Sequence, residues 1–362
     1  MDFVHKERPF DLTIVTVCKN ALEQLRKTVA SVLVVKHSGL LSIEHIIIDG
    51  DSSDGTKKYL ETLKSKGEVE QCVSEPDTGV YNAMNKGIKM AWGKTLAFLN
   101  AGDCYTNPTA LAQCIQIILQ NKAQCVLASV CEVFGYKKDK IRKPTSEHRF
   151  LSTPCCHQSF FAETDLYRCI GGYDESFRCY ADHDAMCKMY RMMVKMIELP
   201  DLIVADYDGN GISASCGSTY AHEAISIMTR YKFDIMVRAQ REKNYARLVE
   251  NYIYMYTLNL ASRLEKEVTM CALRQVQQYT EYLLLLSSGA RRHRLKWFAS
   301  VFLPLLCRGV SPSHRMIRKL RWYAACNSFS PWSHFGKGAV QYGWKEWWRP
   351  KISLLLHLLG IK

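Results

Sequence analysis

The run at residues 95–99 (TLAFL) limits the possible folds more than any other stretch of the chain. Five residues are too few for a stable helix, and polar residues do not alternate with the apolar ones. The run therefore reads as a strand buried on both faces of a sheet. Such a sheet needs helices on both sides, and the flanking sequence supplies them. Upstream, Pro76, Asp77 and Gly79 make a turn, and Asp77 or Thr78 caps the helix that follows. Tyr81, Met84, Ile88 and Ala91 then share one apolar face at helical spacing, and Gly93 ends the helix. Past the strand stand Asn100, Gly102 and Asp103, at the carboxyl edge where open α/β sheets bind ligands. Asn-Ala-Gly-Asp is equally ordinary turn chemistry, so position alone assigns no function.

The same rhythm precedes this stretch. Residues 12–17 (LTIVTV) form a β-branched run that reads as a first buried strand. Leu22, Leu25, Val29, Val32 and Leu33 then mark an amphipathic helix over 21–35. Residues 44–48 (EHIII) read as a second strand ending in DGDSSDGT, with a helix through Leu63 and a third strand at 69–74. Strand and helix in alternation argue an α/β fold with a mostly parallel sheet and right-handed crossovers. Two acidic loops thus leave the carboxyl ends of two strands. Neither the dinucleotide fingerprint nor a P-loop follows the first strand. A carboxylate-lined pocket repels a bare diphosphate, so a diphosphate bound there requires a divalent cation between them.

Beyond Asp103 the pattern predicts a helix at 111–119, a strand at 125–130 and a basic loop region at 134–149. His157 and Gln158 follow Pro154-Cys155-Cys156. A turn at 171–174 leads into YADHD and a helix over 185–193. An aspartate just before a helix is either its N-cap or an acid free for chemistry. Asp184 is the expected cap, which leaves Asp182 free. His222 and Glu223 read as an exposed face early in a further helix, and residues 220–287 as two or three helices.

Charge separates the last quarter from the rest. The 362-residue chain carries a net +13, yet residues 1–282 hold 34 Lys+Arg against 34 Asp+Glu. Residues 283–362 hold 14 basic residues and one acid, Glu346, together with six of the seven tryptophans. Apolar segments at 295–307 and 352–361 are too short to span a bilayer. Basic residues, interfacial aromatics and short apolar pieces describe a segment lying on an anionic membrane surface. A basic helical subdomain packed on the body is the plainer alternative. Nucleic acid is not expected, because no binding module appears and the flanks are Leu-rich. The N-terminus has no apolar signal region, and 15 cysteines without a CxxC pair suit reduced thiols in a cytoplasmic setting.

As a set, TIVTVCKN, IIIDGDSSDGT, SEPDTGVYNAMNKGI, LAFLNAGD, TPCCHQSFF, GGYDESF and YADHDAMCKMYR resemble glycosyltransferase family 2 across roughly residues 10–230. The similarity is greatest to bacterial enzymes of capsule, exopolysaccharide and O-antigen assembly. It implies a GT-A fold, a nucleotide-diphospho-sugar donor (UDP-linked by family weight), Mg2+ or Mn2+, and inversion at the anomeric carbon. It also implies a saccharide acceptor on a polyprenyl-diphosphate lipid at the inner face of the cytoplasmic membrane. Carried over by position, Thr16 borders the nucleoside and Asp49 bonds the base. Asp77 contacts the nucleotide, and Asn85 is the helix asparagine on the donor side. Asn100 and Asp103 are what remains of the metal-binding Asp-x-Asp motif, with Asp103 the metal ligand. His157 and Gln158 lie on the acceptor side, and Asp182 is the catalytic base. Asp51 replaces a usual glycine, and Met84 a frequent arginine.

The expected organisation is a catalytic domain at 1–230, a helical extension at 231–288 and a basic, Trp-rich region at 289–362. Two other functions share parts of this pattern. A sugar nucleotidyltransferase needs a glycine-rich basic loop after the first strand, and Cys18-Lys19-Asn20 is a poor one. A non-catalytic nucleotide-sugar-binding membrane scaffold has no need of Asp49, Asp103 and Asp182 together.

Overall fold

The computed structural model describes residues 8–134, 137–145, 149–150, 152–209, 217–231 and 234. In chain order these form β1 (Phe10–Cys18), α1 (Leu22–His37), β2 (Ile43–Asp49), α2 (Thr56–Ser65), β3 (Gln71–Ser74), α3 (Val80–Met90) and β4 (Gly93–Phe98). Then come β5 (Cys104–Tyr105), α4 (Pro108–Leu119), β6 (Cys125–Phe134) and β7 (Lys137–Arg142). A 3-10 turn (His157–Ser159), β8 (Phe160–Glu163), α5 (Thr164–Cys169), α6 (Ala181–Arg191), β9 (Met196–Asp208) and α7 (Gly217–Arg230) complete the order. The chain divides into two compact units, 1–216 and 217–362. In the second, α7 buries Ala224, Ile227 and Met228, followed by Tyr231, at helical spacing. Glu223, expected on an exposed face beside His222, is buried there as well.

The strands of the first unit make one sheet in the order β3-β2-β1-β4-β8-β6-β9-β5, with β7 on β6. β3, β2, β1 and β4 pair in parallel, so their carboxyl ends open along one edge. β8 is antiparallel to both β4 and β6 and joins this half to a second one, where β6 and β9 run parallel. Alternate residues of β1 explain the layering. Leu12 and Ile14 pack with Val32 and Val35 of α1, while Cys18 meets Leu25 and Val29. On the other face an aromatic cluster of Tyr81, Phe98, Tyr167 and Tyr173 joins α3, β4 and α5.

Glu44, which opens EHIII, is buried with the rest of β2 because its carboxylate finds partners. The Glu44 carboxylate accepts from Thr13 Oγ1 (2.6 Å), Gln71 Nε2 (2.8 Å) and the Trp92 N–H (2.7 Å). One acid thus ties three strands to the α3–β4 turn, and the desolvation that would forbid it is offset by those bonds.

Several expectations need correction. The basic region at 134–149 contains β7, paired antiparallel with β6 through a bulge. α4 starts at Pro108, with Asn107 capping the Ala110 N–H at 2.9 Å. The cap residue of α3 is Gly79, whose N–H donates to Asp77 Oδ1 at 3.1 Å. α6 starts four residues earlier than the spacing suggests, so Asp182 and Asp184 both lie in its first turn. Asp184 is not the cap: it is fully buried and pairs with Lys188 at 3.1 Å. The regions 231–288 and 289–362, with their expected membrane surface, lie outside the described residues apart from Tyr231 and Asp234. Among the described residues no helix is long and apolar enough to cross a membrane.

Candidate active site

Parallel strands bring three loop starts to one edge, at the ends of β1, β2 and β3. There Asp77, on the loop after β3, lies against the backbone of Gly50, so that a Cβ at Gly50 would overlap its Oδ2. Lys19 follows β1, and its Nζ is 4.0 Å from Asp77 Oδ1. Lys19, Gly50 and Asp77 form a cradle with one cation and one acid, the Asp77 side chain 9% exposed.

Two of the residues assigned to the nucleoside stand elsewhere. Asp49 ends β2 but is fully buried. Its Oδ1 accepts from the Ser52 hydroxyl, and its Oδ2 from Ser52 N–H (3.0 Å) and Ser74 Oγ (2.6 Å). That carboxylate locks the β2 and β3 ends together instead of facing a ligand. Burial and the adjacent Asp49 also push the Cys18 thiol far up, so it stays protonated. Thr16 is a mid-strand residue, sealed under α1 with its Oγ1 3.0 Å from His45 Nε2.

Across β4 lies a second cluster. Asp103 is 5% exposed. Its Oδ2 accepts from Gln158 Nε2 at 2.8 Å and its Oδ1 from the Asp208 N–H at 3.0 Å. Thr28 of α1 holds the loop, donating to Asp103 O (2.8 Å) and accepting from Gly102 N–H (2.9 Å). Burial pushes the Asp103 carboxyl up to about 7; the two donors oppose this, and the Asp208 carboxylate adds to it. Next to Gln158, His157 places Nδ1 3.9 Å from Asp182 Oδ2, with side-chain exposures of 20% and 18%. Burial lowers His157 to about 4, so at neutral pH it is uncharged. The Asp182 carboxylate also acts electrostatically on Tyr81, Tyr167, Tyr173, Cys155 and Cys156.

The structure therefore links Asp103 to Asp182 through the neighbouring residues Gln158 and His157. Three buried polar atoms here have no protein partner: Asn100 Oδ1, Gln158 Oε1 and His157 Nε2. Unpaired buried polar atoms are costly in a finished core and useful where a ligand supplies the missing partners. Asn85, assigned to the donor, instead holds the loop ahead of α6. Its Nδ2 donates to Tyr173 O (2.9 Å) and Glu175 Oε1 (2.8 Å), and its Oδ1 accepts from Tyr173 N–H (2.8 Å).

Sequence reasoning missed Asp208, whose backbone supports Asp103 and whose carboxylate adds to the local negative charge. The available signal was a third acidic strand end, DYDGN where β9 closes. Pro200 and Asp201 inside β9 hid that strand. Among the described residues no three His, Cys, Asp or Glu side chains are grouped to hold a metal ion by themselves. Asp103 is buried and the half-buried Asp208 acts on it electrostatically, and each Asp103 oxygen keeps one lone pair beyond its hydrogen bond. Such a set fits a hard cation that takes its remaining ligands from a diphosphate and water.

Comparison with known proteins bears on the fold. Residues 13–179 match the model of glycosyl transferase family 2. An uncharacterized glycosyltransferase of Mycobacterium tuberculosis is 34% identical over 183 residues. That match covers 48% of this chain and 66% of the relative, just under two thirds of its length. Among solved structures, S. aureus TarS 1–349 in complex with UDP-GlcNAc superposes with a TM-score of 0.61 at 14% identity, covering 83% of this chain and 93% of that one. A mannosyltransferase of Pyrobaculum calidifontis in complex with GDP-Man and Mn2+ gives 0.50 at 13% identity, over 96% and 86%. At such identities the likeness establishes the fold, that of the GT-A glycosyltransferases.

Proposed function

We propose that this chain, whose residues 13–179 match glycosyl transferase family 2, moves a sugar from a nucleotide-diphospho-sugar to an acceptor hydroxyl with inversion. The observation that supports this best is the linkage of Asp103 to Asp182 through the adjacent Gln158 and His157. It joins a strand-end acid suited to the donor's diphosphate side with an acid in the first turn of α6.

In this reading Asp182 takes the proton of the attacking hydroxyl as the oxygen closes on the anomeric carbon. His157, uncharged at neutral pH, borders Asp182 without forming the ion pair that would weaken it as a base. Gln158 fixes Asp103 by one amide N–H and offers Oε1 toward the bound sugar. Lys19, Gly50 and Asp77 receive the nucleotide, whose base meets backbone at Gly50. Mg2+ or Mn2+ would be held by Asp103, with Asp208 beside it, and would neutralise charge on the diphosphate. The TarS complex with UDP-GlcNAc supports a UDP-linked donor. We extend the reading to a saccharide on a lipid carrier, with the basic segment around Arg291, Arg292, Arg294 and Lys296 docking on the inner membrane surface.

The test is a panel of nucleotide sugars with Mn2+, scored by thermal stabilisation and by nucleoside diphosphate release. At least one donor should raise the melting temperature and turn over, and a panel without either effect would reject the reading. Fractionation of the chain truncated after Ser288 checks the membrane part: the shortened protein should move to the soluble fraction.

A further inference from the structure

α3 begins at the nucleotide cradle and leans on the segment that carries Asp182. Its N-terminal side follows directly from Asp77 and Gly79. In its first turn, the Tyr81 ring packs on Tyr173 with centroids 5.4 Å apart. The Asp182 carboxylate, in the first turn of α6, acts electrostatically on the Tyr81 hydroxyl. Asn82 Nδ2 donates to Glu175 Oε2 at 2.9 Å. Asn85 then makes three bonds to Tyr173 and Glu175, using both amide hydrogens and its oxygen. The assignment of its oxygen and nitrogen is fixed, because a flipped amide would set N–H against the Tyr173 N–H.

The clamp is also built from the other side. Gly172 has φ +72°, and a Cβ there would come within 2.5 Å of Asn85 Oδ1. Only glycine allows that backbone turn and that approach together. Both asparagine amides hold the Glu175 carboxyl below its ordinary range, so it stays ionised as their acceptor. With both hydrogens committed, Asn85 has none left for a diphosphate.

We infer that Asn85 is a positioning residue: with Tyr81 and Asn82 it fixes residues 172–182, and so the Asp182 carboxylate, relative to the Lys19–Gly50–Asp77 cradle. This rests on the proposed transfer reaction and names the element that keeps base and donor in register. A displacement of about 1 Å in such a group costs on the order of 10²-fold in rate, while ground-state binding of the donor is untouched.

The experiment uses full-length protein, with UDP as the binding probe and UDP release from UDP-GlcNAc with Mn2+ as turnover. Asn85→Asp keeps the shape of the side chain and sets a carboxylate against Glu175 and the Tyr173 carbonyl. We expect kcat to fall roughly 10- to 100-fold with the Kd for UDP unchanged within about 2-fold. Glu175→Gln, a surface change that leaves the fold intact, should lower kcat by about 3- to 10-fold with the same UDP affinity. Combining the two substitutions reverses donor and acceptor in that bond and should recover part of the loss. Near-normal turnover in both single variants overturns the inference. So does a parallel loss of UDP affinity, which would make Asn85 a donor contact. If the wild type turns over no nucleotide sugar, the transferase reading fails, and hydrogen exchange judges the clamp separately. Exchange at residues 173–182 should rise in Asn85→Asp while β1 and β2 are unaffected, and unchanged exchange overturns it.

Discussion

Asp49 and Asp103 both end a buried strand, and the two halves of the molecule use them in opposite ways. On the β1–β3 side the Asp49 carboxylate is saturated by Ser52 and Ser74, and the proposed nucleotide cradle is left to Lys19, Gly50 and Asp77. On the β4–β9 side Asp103 is held by two donors, and three neighbouring buried polar atoms are left without protein partners. The Asp49 carboxylate is saturated by the protein's own groups, while the polar atoms around Asp103 are not. A buried acid is a fastener when the chain completes its bonds, and a candidate for chemistry when the atoms around it stay unmet.

The strongest way to break this contrast is at Asp182. Asp182→Asn keeps the volume and removes the base, so turnover should fall about 10²- to 10⁴-fold while nucleotide affinity holds. Steady-state rates beside UDP titrations measure both, and near-normal turnover would remove Asp182 from the chemistry. The corresponding change on the other side is Asp49→Ala. It should leave the Ser52 and Ser74 donors unpaired and destabilise the protein by about 3 kcal/mol. Urea unfolding reads that loss. A variant of normal stability that has lost only nucleotide binding would show that Asp49 faces the ligand after all.

Much of the first half was legible because its signals are local. The β-branched run at 12–17, the apolar end of EHIII and the TLAFL run each carry their own burial, and β1, β2 and β4 form there. Helix α1 follows from Leu25, Val29 and Val32 at turn spacing. The site was legible in composition but not in contacts. Asp103 meets Gln158 and Asp208, 55 and 105 residues away, and Asn85 meets Tyr173 and Glu175 about 90 away. Nothing in the local pattern distinguishes an aspartate that two serines will saturate from one that will stay half-served. β7 and β9 were missed for another reason. Lys and Asp in KKDKIR and Pro-Asp within β9 read as loop, while pairing with β6 overrode that propensity.

Acid pH sharpens the comparison next. Burial lowers His45 to about 3 and both His157 and His183 to about 4. A histidine whose folded value lies below its unfolded one, 6.5, contributes stability that is complete above 6.5 and is lost as the pH falls toward the folded value. Each costs roughly 1.4 kcal/mol per pH unit across that window. Asp103 acts in reverse: raised to about 7, it stabilises the folded state as it gains a proton on acidification. Three histidines against one aspartate predict a net loss of a few kcal/mol between pH 7 and pH 5. Urea midpoints at the two values measure it. A flat profile would mean that the histidines are solvated.

The smallest expected effect tests the cradle itself. Gly50→Ala meets no backbone penalty, because the added methyl is directed at the carboxylate end of Asp77, which can rotate away. Stability should therefore change by less than about 1 kcal/mol, whereas the displaced Asp77 loses its place beside Lys19. UDP affinity should fall on the order of tenfold, about 1.4 kcal/mol, in isothermal titration. Asp77→Asn would then give a similar loss without the methyl, since both changes remove the same charge from the same place. If Gly50→Ala bound UDP normally while Asp77→Asn did not, the acid would matter but its approach to Gly50 would not. If both bound normally, the nucleotide would have to sit against the β4–β9 half, where the unpaired atoms are.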